Sequence, residues 1–309
     1  MQTLFHYLHL IRFSHTLFAL PFALLSYAMA VKLNFLHSPP IPFRWLDLVG
    51  ILLCMIFARS AAMGFNRFAD RNIDAENPRT VSRHLPSGIL TPKKVLFFVA
   101  FCSVGFVAST LLFLPGNPIP LLASIPVLLF LFGYSYCKRW TVAAHFWLGA
   151  ALMLAPLAAW VVVRPALLLY PLADLFPPLL LGTAVLFWTA GFDLVYATQD
   201  ADIDKKQGLY SIPGRYGITA AFRLSAGCHV LAVVLWGLVP LFYEPFGMLF
   251  WVGVGLVAVI LAVEHYLVMP QQNRPVDLQR VNVAFFQLNL LVSLGLASMG
   301  IIELVLCEH

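Results

Sequence analysis

Residues 176–206 read FPPLLLGTAVLFWTAGFDLVYATQDADIDKK, and they join an apolar segment to a cluster of acids and lysines. The apolar part, 176–198, is long enough for a helix to cross a hydrocarbon core of about 30 Å. Ionisable side chains at the end of such a span are costly to place near lipid, so they usually serve a function. The stretch therefore predicts a membrane helix that leads into a polar site.

Apolar segments of this length recur along the chain. The protein has 309 residues, of which 61% are hydrophobic and 11% are charged, whereas soluble domains have about 25% charged residues. We therefore predict an all-α, polytopic membrane protein with nine transmembrane helices in a single domain, residues 1–309. The predicted spans are 14–31, 46–64, 94–114, 119–136, 142–163, 176–198, 218–240, 246–268 and 281–306.

Lysine and arginine are divided unevenly between the two predicted sides. One side carries fifteen of the 19, the other carries Lys32, Arg44 and Arg164, and Arg59 lies within the second span. Because cytoplasmic loops are enriched in Lys and Arg, we predict a cytoplasmic N-terminus, cytoplasmic acidic loops and an outside C-terminus, in the cell inner (plasma) membrane. The fifteen are Arg12, Arg67, Arg71, Arg79, Arg83, Lys93, Lys94, Lys138, Arg139, Lys205, Lys206, Arg215, Arg223, Arg274 and Arg280.

The first acidic loop follows the second span. Asn66, Asp70 and Asp74 are spaced four residues apart, which places neighbouring side chains on one face of a helix. Magnesium prefers carboxylate oxygens and fills its octahedron with substrate phosphates and water. A plain alternative is a solvated helix end whose aspartates pair with nearby arginines, such as Arg67, Arg71 and Arg79.

The second acidic loop, which follows the sixth span, repeats this spacing. Asp200 and Asp204 are again four residues apart, Asp202 lies between them, and Asp193 lies two turns earlier inside the apolar segment. A carboxylate at that depth usually faces a cavity. The two loops together favour a metal-bridged diphosphate over chance clustering, since the chain has only 14 acids.

Basic residues near these acids can bind a polyanion, because charge-assisted hydrogen bonds suit phosphate oxygens. Arg59 lies inside the second span and should be paired with a carboxylate, either Asp193 or one from a substrate. Tyr134 and Lys138, at the end of the fourth span, are ordinary for a membrane interface when taken alone. The cations beside the acidic loops are Arg67, Arg71, Arg79, Arg83, Lys205 and Lys206.

Taken together, the motifs resemble the UbiA superfamily of intramembrane prenyltransferases. That resemblance implies nine helices around a central cavity that opens to lipid. It implies that two magnesium ions bridge an isoprenyl diphosphate, that Arg59 binds the acceptor's carboxylate, and that Asp193 orients or deprotonates the acceptor; it leaves Asp202 without a role. The motifs are Asn66-x-x-x-Asp70-x-x-x-Asp74, Tyr134-x-x-x-Lys138 and Asp193-x-x-Tyr196-x-x-Gln199-Asp200-x-x-x-Asp204. The implied magnesium ligands are Asn66, Asp70, Asp74, Asp200 and Asp204, and the diphosphate-binding residues are Arg12, Arg67, Arg79, Tyr134 and Lys138.

The expected reaction is Mg²⁺-dependent prenylation of an aromatic acid, with isoprenyl diphosphate, the acceptor and membrane lipid as partners. The motifs are closest to those of 4-hydroxybenzoate polyprenyltransferases of ubiquinone biosynthesis. Menaquinone-pathway enzymes that prenylate 1,4-dihydroxy-6-naphthoate are an open alternative. A secondary transporter is the alternative from another class, although its acids should lie nearer the midplane. No nucleic-acid-binding pattern and no protein partner is evident.

Overall fold

The structure, a computed structural model, describes residues 7, 10, 18–37, 42–165, 169–268, 281 and 284–306. Within these ranges the regular elements are helices, as the sequence predicts. The longer helices are joined by short helical turns and loops. The helices are α1 (Leu20–Leu36), α2 (Trp45–Ala69), α3 (Arg71–Glu76), α4 (Pro92–Thr110), α5 (Ile119–Cys137), α6 (Ala144–Val163), α7 (Phe176–Ala197), α8 (Ala201–Lys206), α9 (Ile212–Tyr216), α10 (Ile218–Phe242), α11 (Met248–Val268) and α12 (Asn289–Leu306).

Eight helices in the described ranges are long and apolar enough to cross a membrane. They coincide with eight of the nine predicted spans. The remaining span, 14–31, corresponds to α1, which is apolar but has 17 residues in its described part. Large apolar side chains such as Phe97 and Val104 lie on the outside of α4, 76% and 69% exposed. This arrangement confirms a multi-pass membrane protein, because such surfaces are stable in lipid and unstable in water.

Among the described residues, the first compact unit comprises residues 7, 10 and 44–140. In it α2 and α4 approach closely, since a Cβ atom added at Gly105 would lie 2.8 Å from the ring of Phe57. Helix α5 packs on α2 through Phe132, whose ring centroid lies 4.5 Å from that of Phe65. This contact places the end of α5 beside the end of α2, where the first acidic loop begins.

The second unit comprises the described residues within 18–37, 42–43, 141–165, 169–268, 281 and 284–306. Its core contains the fully buried indoles of Trp160, Trp188 and Trp236, from α6, α7 and α10. Phe22 of α1 stacks on Trp236 with a centroid distance of 5.5 Å. Phe22 also contacts Trp188 of α7, so aromatic packing joins α1, α7 and α10, and Asp193 lies on α7.

A buried polar cluster lies at the C-terminal end of α6. Arg164 donates from Nη2 to Asp174 Oδ1 at 2.7 Å and from Nη1 to Asn34 Oδ1 at 2.7 Å. Trp160 Nε1 donates to the other Asp174 oxygen at 2.9 Å. Charges buried this deeply are tolerated because their hydrogen-bonding groups are paired. The cluster joins α1, α6 and the turn before α7.

Candidate active site

The first acidic loop is built around a break in helical geometry at Asp70. Helix α2 ends at Ala69, Asp70 has φ −91° and ψ 4°, and α3 begins at the next residue. The backbone hydrogen bonds nevertheless continue, with the Asp70 N–H on the Asn66 carbonyl and the Asp74 N–H on the Asp70 carbonyl. Asn66 Nδ2 lies 3.3 Å from Asp70 Oδ2. The side chains of Asn66 and Asp70 therefore lie next to each other on one face of the helix, as the spacing predicts.

Two cations from the end of α5 hold the buried carboxylate of Asp70. Lys138 Nζ lies 2.9 Å from Oδ2, and Arg139 Nη2 lies 3.2 Å from Oδ1. Arg139 also donates to the Ala69 carbonyl at 2.6 Å. Ser135, one turn earlier on α5, lies 3.5 Å from Asn66 Nδ2. The carboxylate is thus fixed by two long-range cations whose own side chains stay about one-third exposed.

Asp74 has a different partner. Arg83 Nη1 lies 2.7 Å and 2.8 Å from its two carboxylate oxygens. The hydroxyl of Thr80 donates to the Asp74 backbone carbonyl at 2.9 Å, which keeps the following loop close to α3. The arginine that pairs with this acid is therefore nine residues away. Arg71, which the plain alternative placed beside the aspartates, donates to the Phe68 carbonyl and stacks over its ring.

The second acidic loop has a similar local structure. Helix α7 ends at Ala197, a 3₁₀ turn covers Thr198–Asp200, and α8 follows. Asp200 has φ −105° and ψ 4°. Asp200 and Asp204 are half-buried, whereas Asp202 is exposed. The exposure separates Asp202 from the two acids that the family pattern includes.

Asp193 forms a buried pair on the inner part of α7. His145 Nδ1 lies 2.7 Å from Asp193 Oδ2. The His145 side chain is 5% exposed and that of Asp193 is 17% exposed. Among the described residues, His145 is the one side chain that is hydrogen-bonded to this carboxylate.

Arg59 lies within α2, and its Nε atom is buried without a hydrogen-bond partner. No described residue forms an ion pair with its guanidinium. A buried cationic group without a partner is unfavourable, so Arg59 is a candidate for binding an anionic group.

The donor chemistry of the first loop fits a magnesium-bound diphosphate. The two buried carboxylates and the Asn66 amide supply oxygen ligands of the type that magnesium prefers. In the described ranges, no group of three or more His, Cys, Asp or Glu side chains is arranged as a metal cage. A magnesium ion held by few protein oxygens and by substrate phosphates does not require such a cage.

The other predicted site residues are placed as follows. Arg67 is buried in the last turn of α2, while Arg79 and Tyr134 are half-buried, and each has contacts in the structure. Arg12 lies outside the described residues.

Sequence reasoning missed the roles of Arg139 and His145. Arg139 follows Lys138 directly, so its position at the same helix end was a usable signal. His145 is a lone histidine at the start of an apolar span, and an ionisable residue there is a functional candidate by default. Its pairing with Asp193 depends on how α6 packs against α7, which the sequence does not reveal.

The long apolar helices define a multi-pass membrane protein, and clusters of acids and bases lie at the ends of several of these helices. A sequence model described as the UbiA prenyltransferase family matches residues 19–291. The chain therefore belongs to the UbiA prenyltransferase family and is a prenyltransferase. This assignment leaves the transporter alternative without support.

Curated relatives agree with this family. The 4-hydroxybenzoate octaprenyltransferase of Saccharophagus degradans is 34% identical over 239 residues, which cover 72% of this chain and 71% of that protein. The enzyme of the same name from Aliivibrio fischeri strain MJ11 is 33% identical over 209 residues, covering 65% and 67%.

Solved structures share the fold. The apo structure of a UbiA homolog from Aeropyrum pernix K1 has a TM-score of 0.78 and 30% identity, covering 93% of this chain and 97% of that one. A UbiA homolog from Archaeoglobus fulgidus, bound to GPP and Mg²⁺, has a TM-score of 0.71 and 19% identity, covering 97% and 100%.

Proposed function

We propose that this chain transfers a prenyl group from an isoprenyl diphosphate to 4-hydroxybenzoate in a magnesium-dependent reaction. The observation that carries the proposal is the buried Asp70 carboxylate with Lys138 and Arg139 on its two oxygens. Carboxylate and cations in one place can bind a metal–diphosphate through both its metal and its oxygens. The A. fulgidus homolog, whose structure contains GPP and Mg²⁺, supports this use of the fold.

We propose that the magnesium ligands are Asn66, Asp70 and Asp74 from the first loop and Asp200 and Asp204 from the second. Bound magnesium would withdraw charge from the diphosphate and so weaken the allylic C–O bond. The cations of the chain would hold the departing oxygens, and Lys138 already lies beside Asp70. Arg12, Arg67, Arg79 and Tyr134 remain proposed diphosphate contacts.

We propose that the acceptor is held by its carboxylate on Arg59 and by its hydroxyl on Asp193. Arg59 has a buried atom without a partner, as a substrate-binding cation should before it is loaded. A carbon ortho to the phenol oxygen then attacks the allylic carbon while the diphosphate leaves. Positioning of this kind supplies much of the rate, since the reacting atoms are held in a near-attack arrangement. The apolar helices keep water from the electron-deficient carbon.

A transfer assay tests this proposal. Membranes that contain the chain are incubated with radiolabelled geranyl diphosphate and magnesium, and receive 4-hydroxybenzoate or 1,4-dihydroxy-6-naphthoate in separate reactions. Label should enter 4-hydroxybenzoate, and a chelator should stop the transfer until magnesium is restored. Transfer to the naphthoate alone would refute the proposed acceptor, and full activity with excess chelator would refute the metal requirement.

We also propose that residues 1–309 act as one catalytic domain in the inner (plasma) membrane, with the acidic loops cytoplasmic and the C-terminus outside. The distribution of lysine and arginine supports this orientation. A C-terminal alkaline phosphatase fusion should be active and a C-terminal fluorescent protein fusion should be dark in bacterial cells. The opposite pair of results would reverse the orientation.

A further inference from the structure

Helices α6 and α7 approach more closely than large side chains would allow. A Cβ atom added at Gly149 of α6 would collide with the Leu186 carbonyl oxygen of α7. A Cβ atom added at Gly182 of α7 would lie 3.3 Å from the Met153 carbonyl oxygen. Small residues at both contacts let the two backbones come together, as is common between membrane helices.

This approach brings two ionisable residues into contact. His145 lies one turn before Gly149 on α6, and Asp193 lies two turns after Leu186 on α7. Residues three, four or seven apart share a helix face, so both side chains emerge on the packed side. Their separation, 2.7 Å between His145 Nδ1 and Asp193 Oδ2, is that of a short hydrogen bond.

The direction of this hydrogen bond follows from the charge of the carboxylate. When Asp193 is ionised it only accepts hydrogen bonds, and His145 Nδ1 is then the donor to Asp193 Oδ2. The second carboxylate oxygen has no hydrogen-bond partner among the described residues. The other imidazole nitrogen, His145 Nε2, is buried and has none either. Among the described residues, the His145 imidazole therefore makes one hydrogen bond, to Asp193 Oδ2. Asp193 Oδ1 stays available to accept a hydrogen bond from a substrate.

We infer that His145 is a positioning residue for the attack of the aromatic acceptor. Its Nδ1–H holds Oδ2 of Asp193, so that Oδ1 is presented to the acceptor's hydroxyl. The inference rests on the proposed function, in which Asp193 meets that hydroxyl. It adds a residue, His145, that the family motifs do not contain.

The chemical step balances as follows. The ortho carbon of the acceptor forms a bond to the allylic carbon, and the C–O bond to the diphosphate breaks with its electron pair on the diphosphate. The acceptor's hydroxyl proton moves to Asp193 Oδ1, which leaves a neutral dienone. The dienone then loses its ring C–H proton to the released diphosphate, and Asp193 returns its proton to the phenol oxygen. His145 keeps its own proton throughout.

Two substitutions at position 145 separate positioning from a structural role. His145→Asn places an amide N–H near the position of Nδ1, whereas His145→Ala removes the donor. A positioned general base contributes about 10²- to 10⁴-fold to the rate. We expect His145→Ala to lose part of this contribution, about tenfold or more in kcat. Its KM for geranyl diphosphate should not change, and the asparagine variant should recover most of the lost kcat.

His229→Ala is the matched control. His229 is also a buried imidazole in a membrane-spanning helix of the same unit, and it is bonded to His265 at 3.0 Å. Its loss should lower the yield of folded protein without lowering kcat per folded molecule.

A double variant gives a second test. If His145 acts through Asp193, then adding His145→Ala to Asp193→Asn should cost no further kcat, because coupled residues are not additive. A double variant whose kcat is at least tenfold lower than that of Asp193→Asn would overturn the inference. So would a wild-type kcat in His145→Ala, or a kcat in His145→Asn no higher than that of His145→Ala. A wild-type chain that transfers no prenyl group would instead refute the proposed function itself. If His145→Ala does not accumulate as folded protein, the kcat of His145→Asn is compared with that of the wild type. A near-wild-type kcat supports the positioning role, and a tenfold loss of kcat overturns it.

Discussion

Asp70 and Asp200 adopt nearly the same backbone conformation, with φ of −91° and −105° and ψ of 4° in both. Each lies where a membrane-spanning helix gives way to a six-residue helix, and that short helix carries a second aspartate four residues later. The bridge region that both residues occupy is sparsely populated and is frequent in active sites. The two acidic loops are therefore alike in backbone geometry as well as in sequence.

The likeness of these two loops predicts similar consequences when either acid is neutralised. Asp70→Asn and Asp200→Asn should each reduce prenyl transfer by at least about 100-fold, because each removes a proposed magnesium ligand at an equivalent position. The measurement is initial rate with radiolabelled geranyl diphosphate. Asp202→Asn, an exposed acid in the same loop as Asp200, is the control and should retain most of the activity. Equal losses in all three variants would indicate a general charge effect instead.

Lys138 should matter for the diphosphate more than for the fold. Its Nζ atom lies beside Asp70 and its side chain is 31% exposed, and Arg139 still pairs with the Asp70 carboxylate when the lysine is removed. Lys138→Met should lower kcat/KM for geranyl diphosphate roughly 10- to 100-fold, which corresponds to losing a hydrogen bond to a charged group worth about 1.5–3 kcal/mol. Lys93→Met, an exposed lysine at the start of α4, serves as control. An unchanged kcat/KM in Lys138→Met would remove this residue from the site.

Arg59 should affect the acceptor and leave the stability of the protein intact. Because no described residue pairs with its guanidinium and its Nε atom is buried, Arg59→Met removes a partly buried, unpaired charge and should not lower the melting temperature. It should raise KM for 4-hydroxybenzoate by roughly 10- to 100-fold, the value of one charge-assisted contact. It should also abolish the preference for 4-hydroxybenzoate over 4-hydroxybenzamide. A variant that keeps this preference would show that another residue binds the carboxylate.

The Arg164 cluster should behave in the opposite way. Arg164 and Asp174 are 9% and 10% exposed, and removal of one partner leaves the other charge buried. Arg164→Ala should destabilise the protein by about 3–5 kcal/mol, measured by thermal unfolding in detergent. The specific activity of the protein that remains folded should be close to that of the wild type. The double variant Arg164→Ala, Asp174→Ala should lose less free energy of unfolding than the sum of the losses in the two single variants.

The fold was predictable because the membrane imposes simple rules. Spans must be apolar and about 20 residues long, so 119–136 and 246–268 match α5 and α11 within a residue or two. The boundary of α2 was less clear. The apolar run ends near residue 64, but the helix continues to Ala69 and so includes Asn66. Hydropathy indicates where the lipid-facing part of the helix ends. The helix itself continues for as long as its backbone hydrogen bonds do, here to Ala69.

The site was only partly predictable. The acids of the first loop were recognisable from their spacing, because that spacing is local. Their partners Arg83 and Lys138 lie nine and 68 residues away from the acids they hold. Lys138 and its neighbour Arg139 reach Asp70 because α5 packs on α2. The hydrogen bond between His145 and Asp193 likewise depends on the close packing of α6 and α7, which Gly149 and Gly182 allow. Long-range pairs of this kind depend on tertiary packing, which spacing does not encode.

The most direct test of a magnesium-bridged diphosphate site is the binding of the substrate itself. The affinity of the purified protein for geranyl diphosphate is measured by radioligand binding, with magnesium and with excess chelator, in the wild type and in Asp70→Asn and Asp200→Asn. The account predicts tight binding that requires magnesium and is lost in both variants. Binding of equal affinity without magnesium, or in either variant with magnesium, would contradict it.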